Sequence, residues 1–284
     1  FLTFLVIGLF SGQLSADQKQ LVILHTNDFH GRIAEEGEYA GAARIAALVK
    51  ETRALYPGVL VLDGGDRVSG TPVSTMFKGV PIHEVLNEVG YDAAALGNHE
   101  FDHGYKQMLK FKEIADYPFV SANAFAPDGS LLADAPALVK TVNGVKVGII
   151  GLITETTPSH VIPSGNEGVS FSPAEETLRA MVAALRPQVD LLIVLSHVGH
   201  EEEKDLARDV PGVDIIIGGH SHTKVLPPIK IGETYVAPAG YYGAYVGKID
   251  VTVDTETDTM VTFEGTLIPS AEVPAPIKAG DGVV

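Results

Sequence analysis

Residues 92–104 read DAAALGNHEFDHG. The first five residues read as a short strand. The next eight gather an Asn, two His, a Glu and an Asp between two glycines. A buried strand opening straight into such a loop suggests a site built at a sheet edge. The same arrangement recurs on both sides. QLVILHT (20–26) runs into NDFHG, and VLVL (59–62) into DGGDRVSG. LLIVL (191–195) runs into SHVGH, and VDIII (213–217) into GGHSHT. In α/β sheets, ligand sites form where strands end at their carboxyl side, and loops on a rigid scaffold commonly carry function.

Between these strands the spacing predicts helices over Gly41–Tyr56, Pro81–Val89 and Tyr105–Ala115, the first stopped by Pro57 and Gly58. Ser172-Pro173-Ala174-Glu175 has the spacing of a capping box with Pro at the first helical position, starting a helix that runs to about Arg186. Pro118–Ala122 reads as a strand. Ala137–Val142 and Val145–Leu152 flank the hairpin signal Asn143-Gly144. Tyr245, Ile249, Val251 and Val253 alternate with polar residues, as in a half-buried antiparallel strand, and Met260–Leu267 is expected to pair with it. Strand, loop and helix in repetition, with β-rich ends, predict a layered α/β fold with sheets inside helices.

The 284 residues are 45% hydrophobic and 20% charged, an ordinary globular composition for one large domain or two smaller ones. A formal net charge of −16 argues against nucleic-acid binding, which wants a basic face. It also gives an anionic substrate no long-range help, so a site for phosphates needs local cations. The absence of Cys excludes thiol catalysis, disulfides and thiolate metal sites. Residues 1–16, FLTFLVIGLFSGQLSA, are apolar and uncharged and read as a signal-peptide-like segment, too short for a stable membrane span. The alternative is a buried N-terminal element. Export to the periplasm or the extracellular space is the resulting expectation. Residues 17–270 are expected to form the main folded domain. Residues 271–284, with Pro274 and Pro276, are expected to form a tail or the start of a linker.

Taken singly, the loop residues have ordinary readings. Asp28 suits a turn and His30 the surface. Asp66 suits a tight turn, and Asp63 beside it is equally acidic, so spacing does not choose between them. His197 suits a strand end, Asn98 a left-handed turn, and His200 the surface start of a helix. His220 and His222 suit a strand end. Taken together they are a ligand inventory of His nitrogens and Asp or Asn oxygens without sulfur. That set suits Zn, Mn, Fe or Co rather than Cu(I), and is too rich in His for calcium. It exceeds what one tetrahedral ion needs. Two ions about 3.5–4 Å apart would use it, and such pairs hold a bridging hydroxide and clamp a phosphoryl group for in-line displacement.

HTNDFHG, GGD, GNHEFD, SHVGHEE and GGHSHT, in this order, resemble the 5′-nucleotidase branch of the calcineurin-like metallophosphoesterases. The likeness runs from about Leu21 to Leu267. It implies a four-layer α/β/β/α sandwich and a two-metal hydrolase of small-molecule phosphoesters, with release of phosphate from nucleotides by metal-bound hydroxide as the leading activity. It implies one metal on Asp28, His30 and His222, another on Asn98, His197 and His220, and Asp66 bridging them. His99 would stabilise the phosphoryl transition state and protonate the leaving oxygen, oriented by Asp102. The alternative for Asp102 is a cap for the helix from Tyr105. Glu100 and His103 are left to supporting or surface roles. Arg32 and Arg67 are placed to touch an anion, with surface salt bridges as the simpler reading. Longer members carry a C-terminal substrate domain after the metal domain, so this chain is expected to be either a fragment of such a protein or a domain that acts alone, and base specificity stays open. Rival readings are a related hydrolase of cyclic nucleotides, nucleotide sugars or other oxyanion esters, and a non-catalytic secreted metal- or partner-binding protein.

Overall fold

The computed structural model describes residues 17–275. The signal-like segment 1–16 and most of the expected tail lie outside the described residues. In chain order the first half contains β1 (Gln18–Thr26), α1 (Gly41–Leu55), β2 (Val59–Asp63), α2 (Pro72–Met76), α3 (Val80–Leu86), β3 (Ala93–Ala95), α4 (Tyr105–Ile114), β4 (Phe119–Val120) and β5 (Ala124–Phe125). There follow β6 (Ala137–Val142), β7 (Val145–Ile153), α5 (Thr157–His160), β8 (Ser170–Phe171), α6 (Ala174–Leu185), β9 (Leu191–His197), α7 (His200–Asp209) and β10 (Ile215–Ile217). The last strands are β11 (Ile229–Ile231), β12 (Thr234–Val236), β13 (Tyr245–Asp254) and β14 (Thr259–Pro269).

Two six-stranded sheets form, in the orders β14-β13-β1-β2-β3-β4 and β11-β12-β10-β9-β7-β6, with β5 and β8 as a small separate pair. Strand periodicity explains their stacking. Leu21, Ile23, Leu60 and Leu62 point to one face of the first sheet and meet Leu191, Ile193, Leu195, Ile215 and Ile217 of the second. Val22, Leu24 and Val61 point the other way, against Ile45 and Leu48 of α1, Ile82 of α3 and Met108 of α4. Leu192, Val194 and Ile216 pack under Leu178 of α6 and Leu206 of α7. Both faces of each central strand are buried, so those strands are continuous apolar runs, as parallel strands covered on both sides must be. The result is the four-layer α/β/β/α sandwich expected. Among the described residues no helix is long and apolar enough to cross a membrane.

The alternating strand pairs as expected: β13 runs antiparallel to β1, with Ile23 opposite Ile249, and to β14. The expected tail begins with packed residues. Val273 is buried in the core of the first sheet and its carbonyl accepts from Arg44 at 2.6 Å.

The capping box at Ser172 does not form. Pro173, not Ser172, stands at the N-cap of α6, in an extended conformation and with no side-chain cap. The Ala174 N–H donates instead to Glu155 Oε2 at 3.3 Å, so a carboxylate from another loop takes over the capping role. Ser172→Ala should therefore shift stability by no more than about 0.5 kcal/mol, the surface-substitution range, rather than the ~1 kcal/mol of a lost cap. Urea unfolding would check this.

Candidate metal centre

All five polar loops leave the carboxyl ends of central strands. β1 leads to Asp28 and His30, β2 to Asp66, and β3 to Asn98 and His99 on a single 3₁₀ turn (Asn98–Phe101). β9 ends on His197 itself, and β10 leads to His220 and His222. Since β1 to β3 belong to one sheet and β9 and β10 to the other, the loops converge over the open end of the sandwich. The convergence is strained. Asp28, His30, Asp66, His220 and His222 all have positive φ, five of the ten non-glycine residues with that conformation among the described residues. Each such residue costs of order 1–3 kcal/mol and persists only where the surroundings over-determine it, which is common at functional sites. Gly97 allows a close approach: a Cβ there would overlap Asp66 Oδ1.

Three overlapping groups of ligating atoms result: Asp28, His30 and His222; His30, Asp66 and His99; Asp66, His197 and His220. His30 Nε2 and His222 Nε2 face each other at 3.0 Å. His222 Nε2 lies 3.5 Å from Asp28 Oδ1, and His30 Nε2 lies 3.8 Å from Asp66 Oδ2. On the other side, His197 Nε2 stands 3.0 Å from Asp66 Oδ2. His220 Nδ1 is 2.8 Å from Asn98 Oδ1. The His220 N–H donates to both oxygens of Asp28 at 3.1 Å, locking the β1 and β10 loops together.

The donor set fits divalent metal ions. The buried His197 ring gives its Nδ1 proton to the Gly64 carbonyl at 2.8 Å, which leaves Nε2 as the nitrogen that points at Asp66. That Nε2 has no aligned hydrogen-bond partner. Two buried carboxylates and facing imidazole nitrogens call for positive charge between them. Burial, opposed by His197 and reinforced by Asp66, pushes Asp28 up to about 8. Burial also lowers His30 and His220 to about 4, so both rings are neutral at pH 7 and have lone pairs to offer. Burial lowers His197 too, but the adjoining Asp66 carboxylate overrides it and raises the ring to about 10.

Beside this cluster, His99 Nδ1 meets Asp102 Oδ2 at 2.7 Å, and Ser69 Oγ donates to the same oxygen. Burial works against charge on His99, but the bond to Asp102 and the Asp66 field raise it to about 9. Its Nε2 faces inward, 4.0 Å from Asp66 Oδ2. Asp102 does not cap the helix from Tyr105. The N-cap of α4 is Gly104, with no side-chain bond.

The calcineurin-like phosphoesterase family model matches residues 21–224. The chain belongs to the calcineurin-like phosphoesterase family. Within the family, a 5′-nucleotidase of Vibrio cholerae is 33% identical over 295 residues, taking in 90% of this chain and 53% of that protein. A 5′-nucleotidase precursor from Thermus thermophilus superposes with a TM-score of 0.79 at 32% identity, covering 88% of this chain and 54% of that one. A calcineurin-like phosphoesterase from Bacillus subtilis gives a TM-score of 0.79 at 27% identity, covering 90% of this chain and 92% of that one. This phosphoesterase chain spans about half the length of the curated relatives it matches.

Several residues around the candidate metal centre depart from the sequence reading. Arg67 is neither a surface salt bridge nor a contact for anions. It is fully buried, paired with Asp63 at 2.9 Å and close to Glu100 at 3.6 Å. That pairing separates the two carboxylates of the GGD region: Asp63 turns inward to Arg67 and Thr26, while Asp66 faces the histidines. Glu100 is also buried. It accepts the backbone N–H groups of Asp66, Arg67 and Gly97 at 2.7–3.0 Å and so ties two site loops together. Nothing in its spacing distinguished it from a surface Glu. His200 is buried, not exposed, with Nδ1 3.9 Å from the buried Glu203 carboxylate. Arg32 does form a surface salt bridge, at 2.9 Å to Glu36.

Proposed function

We propose that this chain hydrolyses phosphate esters at a pair of divalent metal ions, with nucleotides as the substrate class and release of the 5′-phosphate as the reaction. The observation that carries the proposal is the placing of Asp66. One carboxylate, fully buried, is shared by two ligand groups and has histidines on either side. Asp28, His30 and His222 would hold one ion, Asn98, His197 and His220 the other, with Asp66 common to both. The donor chemistry suits Zn, Mn, Fe or Co. When bound, the ions would neutralise the phosphate and acidify water at neutral pH. This local charge would offset the net charge of −16, which otherwise repels anions.

The protein residues do the rest. Asp102 holds Nδ1 of His99, so Nε2 is the nitrogen presented to the cluster. The bond to Asp102 favours the charged ring, which would offer a proton at Nε2 to the leaving oxygen and a charge opposed to that developing on the phosphoryl group. Gly64, through its carbonyl, fixes the His197 tautomer, and Asn27 steadies Asp28 with a 2.7 Å bond. The intact His99–Asp102 pair favours an enzyme over a non-catalytic binding protein. Residues 17–270 are the proposed catalytic unit. The apolar run 1–16 supports a periplasmic or extracellular location.

The test is phosphate release from AMP and from bis-p-nitrophenyl phosphate by the Mn- or Zn-loaded chain. AMP turnover supports the proposal. Turnover of the diester alone moves the reading to a phosphodiesterase, and turnover of neither with two metals bound overturns it. Chelation should abolish turnover and lower the melting temperature, both restored by added Mn. Ions at about 100 times their dissociation constant stabilise the fold by about 2.7 kcal/mol each.

A further inference from the structure

A pair of tyrosines beside the metal cluster has no part in the chemistry proposed above. Tyr241 and Tyr242 lie between Gly240 and Gly243, and Tyr242 itself has a φ of 57°. A bulky residue in that conformation is a backbone outlier whose strain points to a use. The turn is anchored to the β1 loop, where the Tyr242 N–H donates to the Asp28 carbonyl at 2.7 Å. Tyr242 meets His30 and His222 edge-on, at 5.5 and 5.6 Å between centroids. Arg32, held by Glu36, lies over the rings of Tyr39 and Tyr242 at 4.9 and 4.5 Å, so this side of the turn is closed. Tyr241 is different. It stacks on His222 at 5.0 Å with 20° between planes, yet remains 38% exposed. Among the described residues only Phe77 is a comparably exposed aromatic. A strained turn thus presents an open aromatic ring directly against a candidate metal ligand.

We propose that Tyr241 is a specificity-determining residue whose open surface stacks on a planar ring carried by the leaving group of the phosphoester, such as the base of a nucleoside. The inference rests on the phosphoester reading of the metal cluster and names the residue that would recognise the ring of its substrate. Stacking of bases on aromatic side chains is tolerant of base identity, so the residue selects ring-bearing leaving groups rather than one base.

The probes are adenosine, which has a ring and no phosphate, and ribose 5-phosphate, which has a phosphate and no ring. Calorimetric titration of the metal-loaded chain should show adenosine binding that weakens about tenfold or more in Tyr241→Ala, the order of loss that base–aromatic stacking gives on alanine substitution. Tyr241→Phe, which keeps the ring, should bind adenosine within about threefold of wild type. In turnover, the kcat/KM ratio of AMP to ribose 5-phosphate should fall by a similar factor in Tyr241→Ala. No adenosine binding by the wild type, or equal binding by Tyr241→Ala, overturns the proposal. So does a proportional loss for both esters, which would mean that Tyr241 only steadies His222. Failure of the phosphoester reading looks different: neither ester is hydrolysed, while adenosine binding and its loss in Tyr241→Ala persist.

Discussion

His99→Ala is expected to lower kcat by about 10²-fold or more while both metal ions stay bound. The side chain makes a single strong bond, Nδ1 to Asp102 Oδ2 at 2.7 Å, and its other nitrogen is turned to the cluster. The bond that residue 99 makes to Asp66 Oδ1, at 2.8 Å, comes from the backbone N–H and survives the substitution. The Asp66 carboxylate is therefore held as before, and the loss falls on chemistry rather than on assembly of the centre. Asp102→Asn should reproduce part of the effect, because an amide in that place no longer supplies the negative charge that keeps the ring protonated. Metal analysis beside steady-state kinetics separates the possibilities. A variant that keeps wild-type kcat, or one that loses its metals, would remove His99 from the role assigned to it.

The second large effect concerns stability. Arg67→Ala is expected to cost about 3–5 kcal/mol, the range for breaking a buried ion pair by removing one partner. Its guanidinium is fully buried between Asp63 and Glu100, donates to the Ala95 carbonyl at 2.8 Å and lies 4.5 Å over the Phe119 ring. Burial pushes both carboxylates toward the neutral form, and Arg67 opposes this for each of them. Without it, two buried charges face a cavity. At about 2–4 °C per kcal/mol for a domain of this size, the melting temperature should drop by roughly 6–20 °C. Glu100 would lose its counter-charge while keeping its backbone bonds, and this weakened support for the Asp66 and His99 loops should lower activity alongside stability. A drop of less than about 2 °C, against that expected slope, would show that Arg67 is not the counter-charge described here.

Much of this protein was legible because its information is local. A parallel strand buried on both faces must be an apolar run, and VLVL and LLIVL are such runs ending in polar loops. The positions of Asp28, His30, His99, His197, His220 and His222 at strand ends followed from that pattern alone. The elements that escaped are those with little local signal. β5 and β8 are two residues each and pair across a long stretch of chain, Ala124 with Phe171. Glu155 displaced Ser172 from the start of α6 because a carboxylate on another loop reaches the Ala174 N–H, and nothing in the local text records a neighbour that far away.

What the sequence by itself determined is the layered α/β architecture, the five loops and the chemistry of their side chains, since strand periodicity and ligand type are properties of short segments. Spacing left open which of Asp63 and Asp66 belongs to the cluster, and the family resemblance pointed to Asp66; only the tertiary structure decided what holds each carboxylate in its place. Asp63 ends β2, Asp66 lies three residues on in the loop that follows, and the two are chemically alike. One is turned to Arg67 and the other to the histidines by a loop whose conformation is set by Glu100, and a carboxylate's role depends on the charge it faces across the fold.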